Sequence, residues 1–325
     1  VAQGAALLGA ILFALALALY LRYIRYDRVA ARHVPQGAVI ALRLDVEQAL
    51  LYEPARRHLL PLLGSATAPA SQGDARLQRI EDRTGLRRGD LREIVVAIFP
   101  GEDDWVVALG GIFPSSPGAP SLALALASEG QDWALSSDTR VTTGPGGVAA
   151  GRAADGAVLV ASSEAMLRKA LPADGPPSDL HLARVGPGGF AFNSRGLAEL
   201  AGVTAGANDA DAVRARATEV TGVVDLGERL TATTSVVFPS GTSAVPLMNA
   251  ALEWLRVYGR TEGTPGAGLI RVGVERSTVE AVGPTTARVQ LVWEREEVDR
   301  AFALAAEAIR DKFGGISAAS VLTHP

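Results

Sequence analysis

Two hydrophobic patterns divide the chain. From Gly4 to Leu21 the residues GAALLGAILFALALALYL run without a charge, whereas beyond Val34-Pro35 apolar residues come in short stretches interleaved with polar ones. As a helix the first run spans about 27 Å, close to one bilayer core. Tyr20, Arg22, Tyr23, Arg25 and Tyr26 then fall where an interfacial belt of aromatic and basic residues lies. The pattern predicts a transmembrane anchor with a stalk, residues 1–33. Its length, with no basic stretch ahead of it, favours an anchor over a cleaved signal. Ala6, Ala10, Ala14 and Ala18 recur at four-residue spacing, a stripe of small side chains on which another membrane helix packs closely.

The second pattern predicts mixed secondary structure. Ile40, Leu42, Leu44 and Val46 alternate with Ala41, Arg43 and Asp45, which gives a strand with one buried face, and a helix over 47–63 follows. Strands are expected over 93–99 and 105–113, joined by the acidic turn Gly101-Glu102-Asp103-Asp104. A helix over 122–135, strands near Val148 and Val158 and a helix over 163–171 come next. The stretch PADGPPSD at 172–179 cannot continue a helix and marks a boundary.

Beyond that boundary the order recurs. Strands are expected at 190–195, 220–224, 230–238, 269–274, 278–282 and 287–293, with helical stretches at 209–218 and around Trp254. A closing helix over 296–313 carries the apolar stripe Val298, Phe302, Ala305 and Ile309, which suits packing on a sheet. Phe113-Pro114-Ser115 is echoed by Phe238-Pro239-Ser240, each before an expected helix containing Trp. The fold class expected is α+β: an N-terminal transmembrane helix followed by two similar domains of mixed or antiparallel sheet covered by helices, at 34–175 and 176–325. Strands often follow one another directly, which argues against a doubly wound parallel sheet.

Composition narrows the function more than it names one. The net charge is −4, and acids and arginines alternate along the body, so a nucleic-acid partner is not expected. Aromatics make up 5% of residues, which leaves few stacking platforms for bases or flat cofactors. The absence of cysteine removes disulfides, thiolate nucleophiles and thiolate metal sites. His33, His58, His181 and His324 are scattered, none at metal-ligand spacing, so no metal centre is expected.

Gly144-Pro145-Gly146-Gly147, Gly186-Pro187-Gly188-Gly189 and Gly263-Thr264-Pro265-Gly266 precede expected strands and read as turns, not phosphate cradles. Ser162, Ser163 and Ser240 lack a nucleophile elbow. The acids at 102–104 suit a solvated turn, and Glu294, Glu296 and Glu297 a helix N-terminus. No catalytic or cofactor-binding residue is expected.

The Val-Pro start, the strand and helix of 39–63, and the stretch Arg79-Ile80-Glu81-Asp82-Arg83-Thr84-Gly85-Leu86 before Glu93-Ile94-Val95-Val96-Ala97 resemble bacterial membrane-anchored proteins with a repeated α+β domain. The resemblance implies a tethered extracytoplasmic body in the bacterial inner membrane, and transfers no site residues. Arg22, Arg25, Arg28 and Arg32 after the anchor point instead to the cytoplasmic side by the positive-inside rule. The body is expected in the periplasm. The function expected is a non-enzymatic, membrane-tethered scaffold or accessory subunit, with the lipid bilayer and protein partners in the membrane or envelope. The alternatives are a ligand-binding domain with its site in a cleft between the repeats, and then a carboxylate-dependent hydrolase.

Overall fold

The computed structural model describes residues 28–59, 82, 86–100, 104–113, 133–136, 140–172, 178–184, 186–194, 217–258 and 267–314. Residues on both sides of the expected domain boundary contribute strands to one antiparallel sheet. From the first side come β1 (Ile40–Asp45), β2 (Leu91–Ile98), β3 (Trp105–Gly111), β4 (Ala134–Leu135), β5 (Val141–Thr143), β6 (Ala149–Arg152) and β7 (Val158–Ala161). From the second come β8 (Gly188–Asn193), β9 (Glu219–Leu226), β10 (Arg229–Val237), β11 (Thr278–Ala281) and β12 (Thr286–Glu294). The strand order is β11-β12-β10-β9-β8-β1-β2-β3-β7-β6-β5-β4.

The expected fold class is therefore corrected. β1 pairs with β8 through Ile40↔Phe192, Ala41↔Ala191 and Leu42↔Phe190, so the two sides share a ladder and do not fold as two separate sheets. No helix among the described residues is long and apolar enough to cross a membrane. The run at 4–21 lies outside the described residues, as does the division at 175/176.

Read outward from the β1/β8 junction, the two arms have the same order: β1-β2-β3-β7-β6 in the N-terminal arm and β8-β9-β10-β12-β11 in the C-terminal arm. The N-terminal arm adds β5 and β4. The Phe-Pro-Ser echo does not share this register. The ladders set Val106 in the place of Ser235, hence Leu109 in that of Phe238, and Phe113 lies four residues farther on.

Helices cover the arms on opposite faces. In the N-terminal arm, Ala41, Val95, Ala97, Phe99, Val106, Ala108, Leu159 and Ala161 lie under the 3-10 turn Ala30–His33 and under Met166, Leu167 and Ala170 of α3 (Glu164–Ala170). (The earlier helices are α1, Val46–Leu51, and α2, Glu53–Leu59.) In the C-terminal arm the other face is covered. Ala244, Met248, Ala251 and Leu252 of α4 (Ala244–Tyr258) and Val274 of α5 (Ala267–Glu275) pack on Val236, Phe238, Ala287 and Val289. The spacing of the four α4 residues is that of one helical stripe. The closing helix α6 (Arg295–Gly314) turns away to meet α2.

Four local expectations change. The helix over 47–63 breaks at Tyr52, whose backbone is extended, because Pro54 lacks an N–H and takes the first turn of a new helix. The run 269–274 is helical within α5, since Leu269, Ile270, Val272 and Val274 in so short a stretch fit either period. Gly273 there lies against the Trp293 ring, where a Cβ would come within 2.4 Å of it. Residues 134–135 pair with Thr142 and Thr143 as β4, and the rest of the helix expected over 122–135, up to residue 132, lies outside the described residues. In β1 the buried face is the one with Ala41, Arg43 and Asp45, while Leu42 and Leu44 are each 40% exposed.

Candidate functional site: the open face of the C-terminal arm

Residues directly opposite one another in antiparallel strands point to the same face. One such row crosses the whole sheet through the Ala41↔Ala191 pair. On the N-terminal side it runs Ala41, Ala97, Val106, Ala161, Ala149, all buried, and ends at the half-buried Thr143 of β5 and the exposed Ala134 of β4. On the C-terminal side it runs Ala191, Thr221, Ser235, Arg288, Glu280, and only Ala191 is buried.

The C-terminal continuation of this face forms a shallow concavity of about 480 Å³, lined chiefly by Thr221, Val223, Thr233, Ser235, Arg288 and Gln290. Local sequence explains it. In β10 Thr231, Thr233 and Ser235 alternate with Leu230, Ala232, Thr234 and Val236, which puts three hydroxyls on the open side and Ala232 and Val236 in the buried one. The charges here are paired. Arg288 lies 3.3 Å from Glu280, and His181 Nδ1 lies 2.7 Å from Glu219 at the rim. Thr221, Thr233, Ser235 and Gln290 make no side-chain hydrogen bond with any described residue.

A second cluster is buried where the arms meet. Arg43 Nε donates to Glu93 Oε1 at 2.6 Å and Nη1 donates to the Gly186 carbonyl at 3.0 Å. Arg28 donates to Asp45 at 3.0 Å and to the Arg184 carbonyl, and the Ala30 amide donates to Glu93 at 3.3 Å. Residues 28–30 are thereby fixed to both arms. Arg43 Nη2 is buried without a hydrogen bond and sits 3.6 Å from Asp45.

The third cluster joins α2 to α6. Tyr52, Ala55, Val298 and Phe302 pack together with Leu226, Leu230 and Trp293, so Val298 and Phe302 of the stripe expected on the closing helix meet a helix as well as the sheet, while the side chains of Ala305 and Ile309 lie outside those described. Around them Glu53 pairs with Arg57 and Arg295, and Asp299 with Arg57 and His58. Hydrogen bonding from Arg295 holds the Glu53 carboxyl below the usual carboxylate range. Burial pushes the Tyr52 phenol above its ordinary value, and its hydroxyl has no partner.

The residues singled out from sequence fall as follows. Ala6, Ala10, Ala14, Ala18, Tyr20, Arg22, Tyr23, Arg25 and Tyr26 lie outside the described residues. His33 is buried, with Nδ1 2.7 Å from the Ala170 carbonyl and Nε2 3.0 Å from Asp155. Ser163 caps α3 by accepting from the Met166 amide, and Ser162 donates to Asp104. Glu297 accepts from the Glu294 amide and pairs with Arg276. Gly146 and Gly147 lie in a tight turn at positive φ, as does Gly186 before β8. Among the described residues no group of three metal-ligating side chains occurs. Sequence reading passed over Thr221, Thr233, Ser235, Arg288 and Gln290. Their signal was present in part: Thr221 and Asp225 of β9, Thr231, Thr233 and Ser235 of β10 and Arg288 and Gln290 of β12 keep a two-residue polar spacing that Val223 and Val292 interrupt, without any cue to which arm face a helix would leave bare.

These features define an α+β protein built on one open antiparallel sheet, with a polar concave face on one arm. No protein-family model and no curated protein matches the chain. Solved structures of a protein designated TP0453 are similar to 86% of it: crystal form III at 11% identity and TM-score 0.47 over 99% of that chain, form IV at 11% and 0.45 over 98%, and form I at 10% and 0.43 over 98%. A likeness at that level carries no inference about this chain.

Proposed function

We propose that the protein is a non-enzymatic, membrane-tethered scaffold or accessory protein whose working surface is the open face of the C-terminal arm. The observation that carries this reading is the change along one sheet row, from buried Ala97, Val106, Ala161 and Ala149 to solvent-facing Thr221, Ser235, Arg288 and Glu280. A sheet face over which no helix lies among the described residues is expected to be polar, and a concave one with unspent hydrogen-bonding groups is a place for a partner. In the same reading the arms are copies of one α+β unit, 34–175 and 176–325, of which the second has been given over to binding. The tether is the uncharged run Gly4–Leu21, with the body on the periplasmic side of the bacterial inner membrane. Protein partners in the membrane or envelope meet the anchor and the sheet edges, and the open face is the surface that takes a ligand.

A photo-crosslinking amino acid placed at Thr233 in membranes carrying the full chain tests the reading. A discrete adduct is expected from Thr233 and none from the same group at Arg56, an exposed position on α2. Equal labelling at both positions, or none at Thr233, contradicts it.

A further inference from the structure

We infer that the open face of the C-terminal arm takes a neutral, linear glycan, an inference that rests on the binding role proposed for that face. Three observations point there together.

The first is charge. The ionic groups lining the concavity are matched, Arg288 with Glu280, and at the rim the His181 ring is hydrogen-bonded to Glu219, so the surface offers no unpaired cation to an anion. An uncharged ligand fits best.

The second is the kind of polar group. Thr221, Thr233 and Ser235 present hydroxyls, and Gln290 an amide, with no side-chain hydrogen bond to a described residue. A hydroxyl both donates and accepts, and so does each hydroxyl of a sugar. An extended peptide lying on a sheet face keeps its amides in its own plane and offers the face only side chains. A glycan offers hydroxyls along both of its edges.

The third is spacing. Thr221, Ser235, Arg288 and Glu280 sit on the neighbouring strands β9, β10, β12 and β11, so polar side chains recur across the sheet at about 4.8 Å. That repeat is comparable to the rise of a β-linked pyranose chain, so successive sugars meet successive strands. Val223, Ala183 and the Gly222 backbone supply a patch for C–H faces, and the His181 ring stands at the rim. With no Phe, Tyr or Trp among the described residues that line the concavity, the affinity comes from several modest hydrogen bonds, and a Kd near the millimolar range is expected.

The test uses the full chain in a detergent without a sugar headgroup, titrated with cellohexaose, xylohexaose and chitohexaose and followed by calorimetry. At least one oligosaccharide should bind, indifferently to added salt, and Thr233→Val with Ser235→Ala should weaken it about tenfold or more. Leu51→Ser, at an exposed position on α1, should bind as the parent does. A thermal melt shows whether each variant is folded. The double variant alters half-exposed side chains only, and Gln290→Ala, on an exposed side chain, provides an independent second reading with a smaller loss. The inference is overturned if none of the three binds at millimolar concentration, if binding survives both sets of substitutions, or if salt abolishes it. Crosslinking from Thr233 in the absence of glycan binding would leave the face a binding surface for another class of partner.

Discussion

Ala161 and Arg288 stand in equivalent places, fourth in the same row counted outward from the Ala41↔Ala191 junction. One is fully buried and the other exposed. The arms share a strand order, so strand order does not decide which face becomes core. The elements packed on each arm do, α3 with the Ala30–His33 turn on one face and α4 with α5 on the other. After β7, α3 is capped by Ser163 and folds back so that Met166, Leu167 and Ala170 reach the sheet face. After β12, α6 leaves toward α2, where Val298 and Phe302 meet Tyr52 and Ala55. Side chains on the two arms follow that difference, small and apolar in one and hydroxylated or charged in the other.

The largest expected effect comes from copying one arm into the other. Ala161→Arg introduces an unpaired charge under α3 and should destabilise the protein by about 4 kcal/mol or more, read as a shift in the denaturant midpoint. The reverse change, Arg288→Ala, removes one partner of an exposed pair and should alter stability by less than about 1 kcal/mol. Comparable losses from both would break the contrast between the arms.

At the junction a somewhat smaller effect is expected. Glu93→Ala leaves Arg43 buried without its carboxylate and should cost about 3–5 kcal/mol in equilibrium unfolding. Arg43→Met combined with Glu93→Leu removes both ions and should recover most of that loss. If the double variant is as unstable as the single one, the cluster acts through something other than charge burial.

The helix contact that draws α6 away from the face yields two finer tests. Tyr52 buries a hydroxyl with no partner, so Tyr52→Phe should stabilise the protein by about 1 kcal/mol. The raised Tyr52 value means that its contribution is whole below the ordinary phenol range and is lost as pH rises through the higher folded value. The phenylalanine variant should therefore lack part of the alkaline loss of stability.

The smallest effect is at Glu53. Its lowered folded value means that the contact with Arg295 contributes fully above the ordinary carboxylate range and fades as pH falls through the lower folded value. Glu53→Gln should flatten that acid limb in a series of thermal melts, without altering stability near neutrality by more than a surface pair does.

Much of the strand content was legible because period-two alternation survives in a half-buried sheet. β2, β3, β10 and β12 fall close to where it places them. Which side of β1 is buried was not legible, because the ordinary rule favours leucine over Arg43 and Asp45. Only the partners Glu93, Arg28 and the Gly186 carbonyl, distant in sequence, make the charged side tenable inside. The joining of the arms through β1 and β8 was hidden for a similar reason: a proline-rich link reads the same whether it separates two sheets or connects neighbours in one. The open face was the least visible. Thr231, Thr233 and Ser235 look like any solvent side of a strand, and their importance rests on the N-terminal arm covering the equivalent row.

A cysteine-free chain allows that contrast to be measured directly. Ala161→Cys and Arg288→Cys, made one at a time, are to be exposed to a thiol reagent under native conditions. The account predicts rapid modification at 288 and protection at 161 until the protein unfolds. Modification of both at similar rates would contradict it.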